Sequence, residues 1–401
     1  LGMIAFSLSA LWAIASPIFS VPDENAHATK AIAQAHGQVI GYEVDGIRHI
    51  VVDLPPGFEY PPSIVCYAFM PEVPANCASA LGDSGGTPWF NTWVGSYNPV
   101  YYALVGLPSL VLDGNDAVYG MRLVSALVNS LLIGLAGYAA MRHRHRSWAP
   151  LGALVVTSPM IVYFSGAVNP QGFEIAGAFL LWWAGIRLAE QWRETGRPQG
   201  STVLWVSVVL GALAVSNARA TGPLWTLVIL FLVVIVTGWR SSWNALLTRH
   251  SAPWLAAIAA PALFSVGWTL WGGSLSNQAE VSDAPLVNAS PLVGAWYMMR
   301  ETPNWIQQAS GFFGWLDTPL PAALYLLFYA VVAIPVVTAL ASVSRNELAR
   351  LGAVVLVAFA LPIAIQAISV SQTGIIWQGR YGIFLYLGVV VVASWQLSRH
   401  D

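Results

Sequence analysis

Residues 22–30 read PDENAHATK. Two carboxylates, a histidine and the chain's only lysine fall within eight positions, in a sequence with 9% charged residues. Asp23, His27 and Lys30, with Gln34 one turn further on, recur at helical spacing and share one face. Pro22 opens such a helix and places Asp23 and Glu24 in its first turn, where the helix dipole keeps carboxylates ionised. An ionised carboxylate can take a proton from a hydroxyl, a contribution typically worth about 10²–10⁴-fold in rate. Asp23 is the expected base, because His27 and Lys30 on its face would orient it and lower its pKa. Glu24 points about 100° away around the helix and is expected to contact an acceptor or a metal. A divalent cation (Mg, Mn or Ca) at Asp23 and Glu24 is compatible with this pair. The plainer reading is helix capping with an i,i+4 Asp–His contact. Capping uses one carboxylate and gives no reason for the second acid, the histidine or the lysine.

Three further polar clusters carry chemistry. In AVNPQGFEIAGAF (167–179), Asn169 suits a helix N-cap and Pro170 the first helical position. Glu174 then sits one turn inside an apolar helix, where an acid costs about 2.5–3.5 kcal/mol on insertion scales and faces a polar cavity. SNARATG (216–222) brings Arg219, and WQGRYG (377–382) brings Arg380 and Tyr381. A planar guanidinium suits phosphate oxygens, so an anionic headgroup would account for both arginines. The alternative is pairing with Glu174 or Asp23 inside the bundle.

Other motifs carry no chemistry. GDSGG (82–86) resembles a serine-nucleophile peptide, but TPWFNTW follows it where an elbow needs a helix, so Ser84 reads as part of a turn. HRHR (143–146) reads as a topogenic charge cluster, and NAS (288–290) is a sequon followed by proline. No P-loop, dinucleotide fingerprint or H-E-x-x-H is present.

The elements that must position these clusters are membrane helices. The chain has 401 residues, 56% of them hydrophobic, with 19 tryptophans. Soluble domains carry roughly 25% charged residues, so this is expected to be an all-α polytopic membrane protein. A net charge of −2 argues against a nucleic-acid partner. With about 20 apolar residues per crossing, the expected spans are 1–20, 118–141, 148–166, 171–190, 201–218, 222–239, 253–271, 320–342, 350–370 and 380–397. The apolar but short stretch 98–112 reads as a re-entrant or interfacial helix. Residue 1 already lies inside an apolar segment, which reads as a chain cut at its cytoplasmic start.

Arginine-rich short loops (MRHRHRS, QWRETGRPQG, WRSSWNALLTRH, SRNELAR and the tail) face the cytoplasm by the positive-inside rule. Two long loops, 21–117 and 272–319, face outside. The chain divides into a first transmembrane helix (1–20), an extracytoplasmic loop with interfacial helices (21–117), transmembrane helices (118–271), a second extracytoplasmic loop (272–319), and transmembrane helices with a cytoplasmic tail (320–401). Arg219 and Arg380 fall on the outer side, against the positive-inside rule. Cys66 and Cys77 lie together in the first outer loop, on the oxidising side, and are expected to form a disulfide.

PDENAHATKA, the Cys66–Cys77 pair, YNPVYYALVGLPS (97–109), NPQGFEIA (169–176) and QGRYGIFLYLG (378–388) together resemble a bacterial membrane-protein family, domain of unknown function 2142. That family is common in actinobacteria and is similar in layout to the GT-C glycosyltransferases. The resemblance implies a GT-C-like bundle of about ten helices with a large first outer loop, in the bacterial plasma membrane. It also implies a base just after the first helix, at Asp23 or Glu24, and a polyprenyl-phosphate sugar donor. The expected reaction is an inverting sugar transfer at the outer face, among membrane lipids, to a glycan, glycolipid or protein acceptor. Arg219 and Arg380 would hold the phosphate, with His27 orienting the carboxylate. Competing classes are a transporter or flippase of a lipid-linked glycan, which needs mid-membrane polar groups and internal repeats, and a non-catalytic scaffold.

Overall fold

The computed structural model describes residues 1–47, 49–142, 147–155, 158–195, 202–274 and 284–400. Helix α1 (Gly2–Ala15) is stopped by Pro17, and Ser16 Oγ donates to the Trp12 carbonyl at 2.7 Å. It is 14 residues long, shorter than the expected 1–20. Helix α2 (Glu24–Ala35) follows and is buried from Glu24 to Gln34 although half its residues are polar. Such a helix is stable only inside a folded cap that satisfies those groups. The long segment between α2 and α4 supplies that cap. Strands β1 (Ile50–Asp53) and β2 (Trp89–Thr92) pair antiparallel with Ile50 opposite Thr92, and both pack on α2. Helix α3 (Pro99–Val105), capped by Asn98 accepting from Val100 N at 3.0 Å, packs on α2, and a 3₁₀ turn follows (Leu107–Leu110). The 98–112 stretch is thus short helical structure, in line with an interfacial element. Cys66 and Cys77 stand at disulfide distance, with Cα atoms 6.2 Å apart.

The bundle then runs through α4 (Gly114–Met141), α5 (Ala149–Leu154), α6 (Pro159–Ser165), α7 (Pro170–Thr195), α8 (Thr202–Ala218), α9 (Gly222–Thr237), α10 (Trp239–Leu246) and α11 (Ala252–Trp271). After α12 (Pro291–Arg300) and α13 (Thr302–Gly311), a two-residue ladder of β3 (Phe312–Phe313) and β4 (Thr318–Pro319) leads to α14 (Ala322–Ser342) and α15 (Arg345–Thr373). A 3₁₀ turn (Gly379–Gly382) opens the last helix, α16 (Ile383–Ser398). Six of the described helical segments are long and apolar enough to cross a membrane, and α1, α8 and α9 are shorter apolar helices. The chain is an all-α membrane protein.

Helix α7 is the axis of the core. Every residue from Pro170 to Ile186 is buried, and α4, α8, α9 and α16 pack around it. A helix apolar all round has to be enclosed. Close approach to α8 depends on Gly177 and Gly211: a Cβ on Gly177 would stand 2.5 Å from that of Ala214. By contrast α11 and α14 leave most of their apolar surface uncovered, as lipid-facing helices do. The expected span 148–166 is not one continuous helix. It comprises α5 and α6, with Ser158 and Pro159 starting the second piece, because proline cannot donate into a continuing helix. Helix α10 is a short amphipathic piece with Trp239 and Trp243 stacked at 5.3 Å, the composition of an interfacial helix. The HRHR cluster, Arg48 and residues 275–283 of the second loop lie outside the described residues.

Candidate functional site

The site gathers where α2 begins, at the ends of α7 and α8 and at the turn before α16. Asp23 occupies the N-cap of α2 but does not cap it; its side chain makes no bond to the helix's free N–H groups. Its backbone is left-handed, φ +65°, a conformation costing a non-glycine residue about 1–2 kcal/mol. That backbone turns the carboxylate toward Arg380, whose Nη2 donates to Oδ2 at 2.6 Å. The carboxylate side chain stays 26% exposed while Arg380 is 1% exposed. Burial opposes ionisation of Asp23, but the charge and hydrogen bond of Arg380 outweigh it and hold the carboxyl below its usual value.

Arg380 is held from several sides. Its Nε donates to Gln378 Oε1 at 2.5 Å, its Nη2 reaches the Tyr381 hydroxyl at 3.4 Å, and its guanidinium lies over the Phe164 and Tyr381 rings. Its Nη1 is buried and has no hydrogen-bond partner in the protein. The Arg380 carbonyl accepts from Gln171 Nε2 at 2.5 Å, and Gln171 Oε1 accepts from Arg219 Nη2 at 3.2 Å. Arg219 faces Glu174 across 3.9 Å and stacks 4.5 Å over the Tyr381 ring. Both internal pairings open to the arginines from sequence therefore occur, Arg380 with Asp23 and Arg219 with Glu174. Asn169 caps α7 by accepting from Gln171 N at 3.0 Å, and its Nδ2 donates to the Pro22 carbonyl at 3.1 Å. One residue thus ties the start of α7 to the turn that presents Asp23.

The two acids part company. Glu24 is fully buried: Arg122 Nε and Nη2 grip its oxygens at 2.8 and 2.6 Å, and Val168 N donates to Oε1 at 3.0 Å. Arg122 also donates to the carbonyls of Ala13, Ser16 and Pro17. The expectation that Glu24 contacts an acceptor or a metal does not fit this geometry, since both oxygens are already taken. Asp23 and Glu24 do not converge on a common point, and among the described residues no cluster of three or more His, Cys, Asp or Glu could hold a metal. The donor set does not fit a divalent cation.

His27 Nδ1 and the Tyr102 hydroxyl are 2.8 Å apart, and the two rings stack. Burial lowers the His27 pKa to about 3, so the imidazole is neutral at physiological pH. Lys30 departs from expectation. It donates to the Val39 carbonyl and lies over the Tyr102 ring, and burial alone pulls its pKa down to about 7. It holds the loop after α2 and leaves the orientation of Asp23 to Arg380. Arg122, Gln171, Gln378 and Phe164 escaped the sequence reading. Arg122 carried a signal, a lone arginine inside the expected span 118–141; the glutamines and Phe164 carried none.

The polar clusters spread from α2 to the turn before α16 all fall inside the reach of one family profile. The chain belongs to the DUF2142 family. The family profile, described as a predicted membrane protein, matches residues 6–387. No curated protein matches the sequence. In this DUF2142 chain the match spans both halves of the site, from Asp23 at the start of α2 to Arg380 and Tyr381 before α16.

Proposed function

We propose that this protein is an inverting membrane glycosyltransferase of GT-C type. It takes a sugar from a polyprenyl-phosphate donor and passes it to an extracytoplasmic glycan, glycolipid or protein. The protein lies in the bacterial plasma membrane with the site facing outside. Ten crossings fit the chain: the six long helices, the three shorter ones, and α5 with α6 as a single broken span.

The observation that carries this reading is the Asp23–Arg380 pair, a partly exposed carboxylate bound to a buried arginine that has one nitrogen free. Asp23 accepts the proton of an acceptor hydroxyl as its oxygen forms a bond to the anomeric carbon from the side opposite the phosphate. The bond from that carbon to the phosphate oxygen breaks, and its electron pair leaves on the phosphate. Arg380 offers Nη1 to that oxygen, and Arg219 adds positive charge behind Tyr381. As Arg380 turns toward the developing phosphate charge its hold on Asp23 slackens, which raises the basicity of the carboxylate when the proton moves. His27, neutral and bonded to Tyr102, shapes the floor under Asp23.

Single-turnover transfer from a short-chain polyprenyl-phosphate sugar tests this. Asp23→Asn is expected to lose about 10²-fold or more in the chemical step while donor binding survives. Transfer at the parent rate by a folded Asp23→Asn protein would remove the base and with it the reading.

A further inference from the structure

Beside the Asp23–Arg380 pair lies a cavity of about 230 Å³, lined among others by Glu174, Arg219, Tyr97, Trp225, Trp377 and Tyr381. Two other cavities, one between α7 and α11 and one against α16, are lined almost throughout by apolar side chains and suit lipid tails. This one is different. Glu174 is 1% exposed, lines the cavity, and its Oε1 has no hydrogen-bond partner. Arg219 Nε, also lining it, is likewise without one. A buried acceptor and a buried donor left open beside each other cost free energy unless something completes them. An acyl chain cannot, because it has nothing to donate or accept.

The remaining walls combine aromatic side chains with Ile365 and Ile376 and with the polar side chains of Thr221, Gln366 and Ser369. Trp377 and Tyr381 stand edge to face at 5.9 Å, and Trp225 Nε1 donates to Oγ1 of Thr221, another lining residue, at 3.1 Å. Flat aromatic walls with a few convergent polar groups suit a ligand that is apolar on its faces and polar at its rim. A sugar ring has that form, with C–H faces and hydroxyls that both donate and accept. The volume admits one ring. A uronate would bring a second negative charge into a cavity whose arginine already faces Glu174.

We infer that this cavity binds a single neutral sugar ring, with Glu174 Oε1 accepting from one hydroxyl and Arg219 Nε donating to its neighbour. The inference rests on the glycosyltransferase reading for its biological sense, and it assigns the ring to α7, α8 and the turn before α16.

The test is saturation-transfer NMR on the full chain in lipid nanodiscs, with methyl glucopyranoside, methyl mannopyranoside, methyl arabinofuranoside and methyl glucuronide as probes. At least one neutral glycoside is expected to receive saturation, and the glucuronide none. Glu174→Ala is expected to weaken that binding by about tenfold or more. Ala220→Trp, which fills the cavity from its wall and leaves the Glu174 side chain in place, should abolish it. Displacement of the glycoside by a polyprenyl-phosphate sugar supports the inference with the ring on the donor; undiminished binding beside that lipid supports it with the ring on the acceptor. Failure of every neutral glycoside to bind, binding of the glucuronide as strong as theirs, or parent-like binding by folded Glu174→Ala and Ala220→Trp proteins would overturn it. Because binding is read without turnover, the two readings fail separately. Glycoside binding without Asp23-dependent transfer sinks the enzyme and leaves the cavity; Asp23-dependent transfer with binding indifferent to Glu174 and Ala220 sinks the cavity alone.

Discussion

At the scale of residues, two neighbouring acids carry different tasks because one faces the site and the other the bundle. Glu24 and Arg122 form a buried pair that also collects three carbonyls from the end of α1. Removing one partner leaves a buried charge, which costs about 3–5 kcal/mol. Glu24→Ala and Arg122→Met are therefore expected to lower the thermal midpoint in detergent sharply, and Asp23→Asn to move it far less. Equal midpoints for Glu24→Ala and the parent would contradict the structural role. His27 gives a pH signature. Its folded pKa is about 3, below its unfolded value of about 6.5, so the unfolded chain binds more protons between those limits. Its contribution is complete above pH 6.5 and declines as the pH falls toward 3. At pH 5 the loss is about 2 kcal/mol. His27→Gln should flatten the fall in midpoint between pH 7 and pH 5, and an unaltered slope would show that another group controls it. Much of this site was legible: Asp23, Arg380, Arg219 and Glu174 stood out because charge is scarce in an apolar chain. Pairing of these arginines with Asp23 or Glu174 stood as an alternative, but which arginine takes which acid was not legible, since nothing in the spacing of residues 23 and 380 says that they meet.

Elements were legible where periodicity and length decide. Helices α4, α7, α8, α11, α14 and α15 follow the apolar runs closely, because a span needs a fixed length of apolar chain. The break between α5 and α6 was missed because hydropathy averaged over about 19 residues does not register one proline. The cap was legible only in part. Its cysteine pair and the interfacial helix at 98–112 were expected, but the two-stranded ladder over α2 depends on residues some forty positions apart, Ile50 with Thr92. The Cys66–Cys77 link closes a short segment of this cap, and in the chain-entropy model such a loop gains roughly 3 kcal/mol. Cys66→Ser with Cys77→Ser should make residues 61–80 open to protease at temperatures where the parent resists, with the helices intact by circular dichroism. Alkylation of both cysteines in the unreduced native protein would mean that the link does not form.

At the scale of the molecule, everything depends on which side of the membrane the cap lies. The cap buries α2 and carries Asp23, while Arg142, Arg193 and Arg399 lie at the ends of α4, α7 and α16 away from it. Positive loops stay in the cytoplasm because translocating them is opposed by the membrane potential and by anionic inner-leaflet lipids. By that rule the cap is expected outside, and on the proposed reaction a donor already linked to lipid would reach the site through the bilayer without a nucleotide. The proposed ten crossings would put both ends of the bundle inside and Ser147, between α4 and α5, in the cytoplasm. An extra crossing at 98–112 would reverse every later loop. Single cysteines report the difference, since the native pair is already joined. With a membrane-impermeant maleimide on intact cells, Glu43→Cys in the exposed cap should label and Ser147→Cys should label only after the membrane is opened. Labelling of Ser147→Cys in intact cells would place that loop outside and, since α4 joins it to the cap and Arg380 is bonded to Asp23, would put the whole site on the cytoplasmic face.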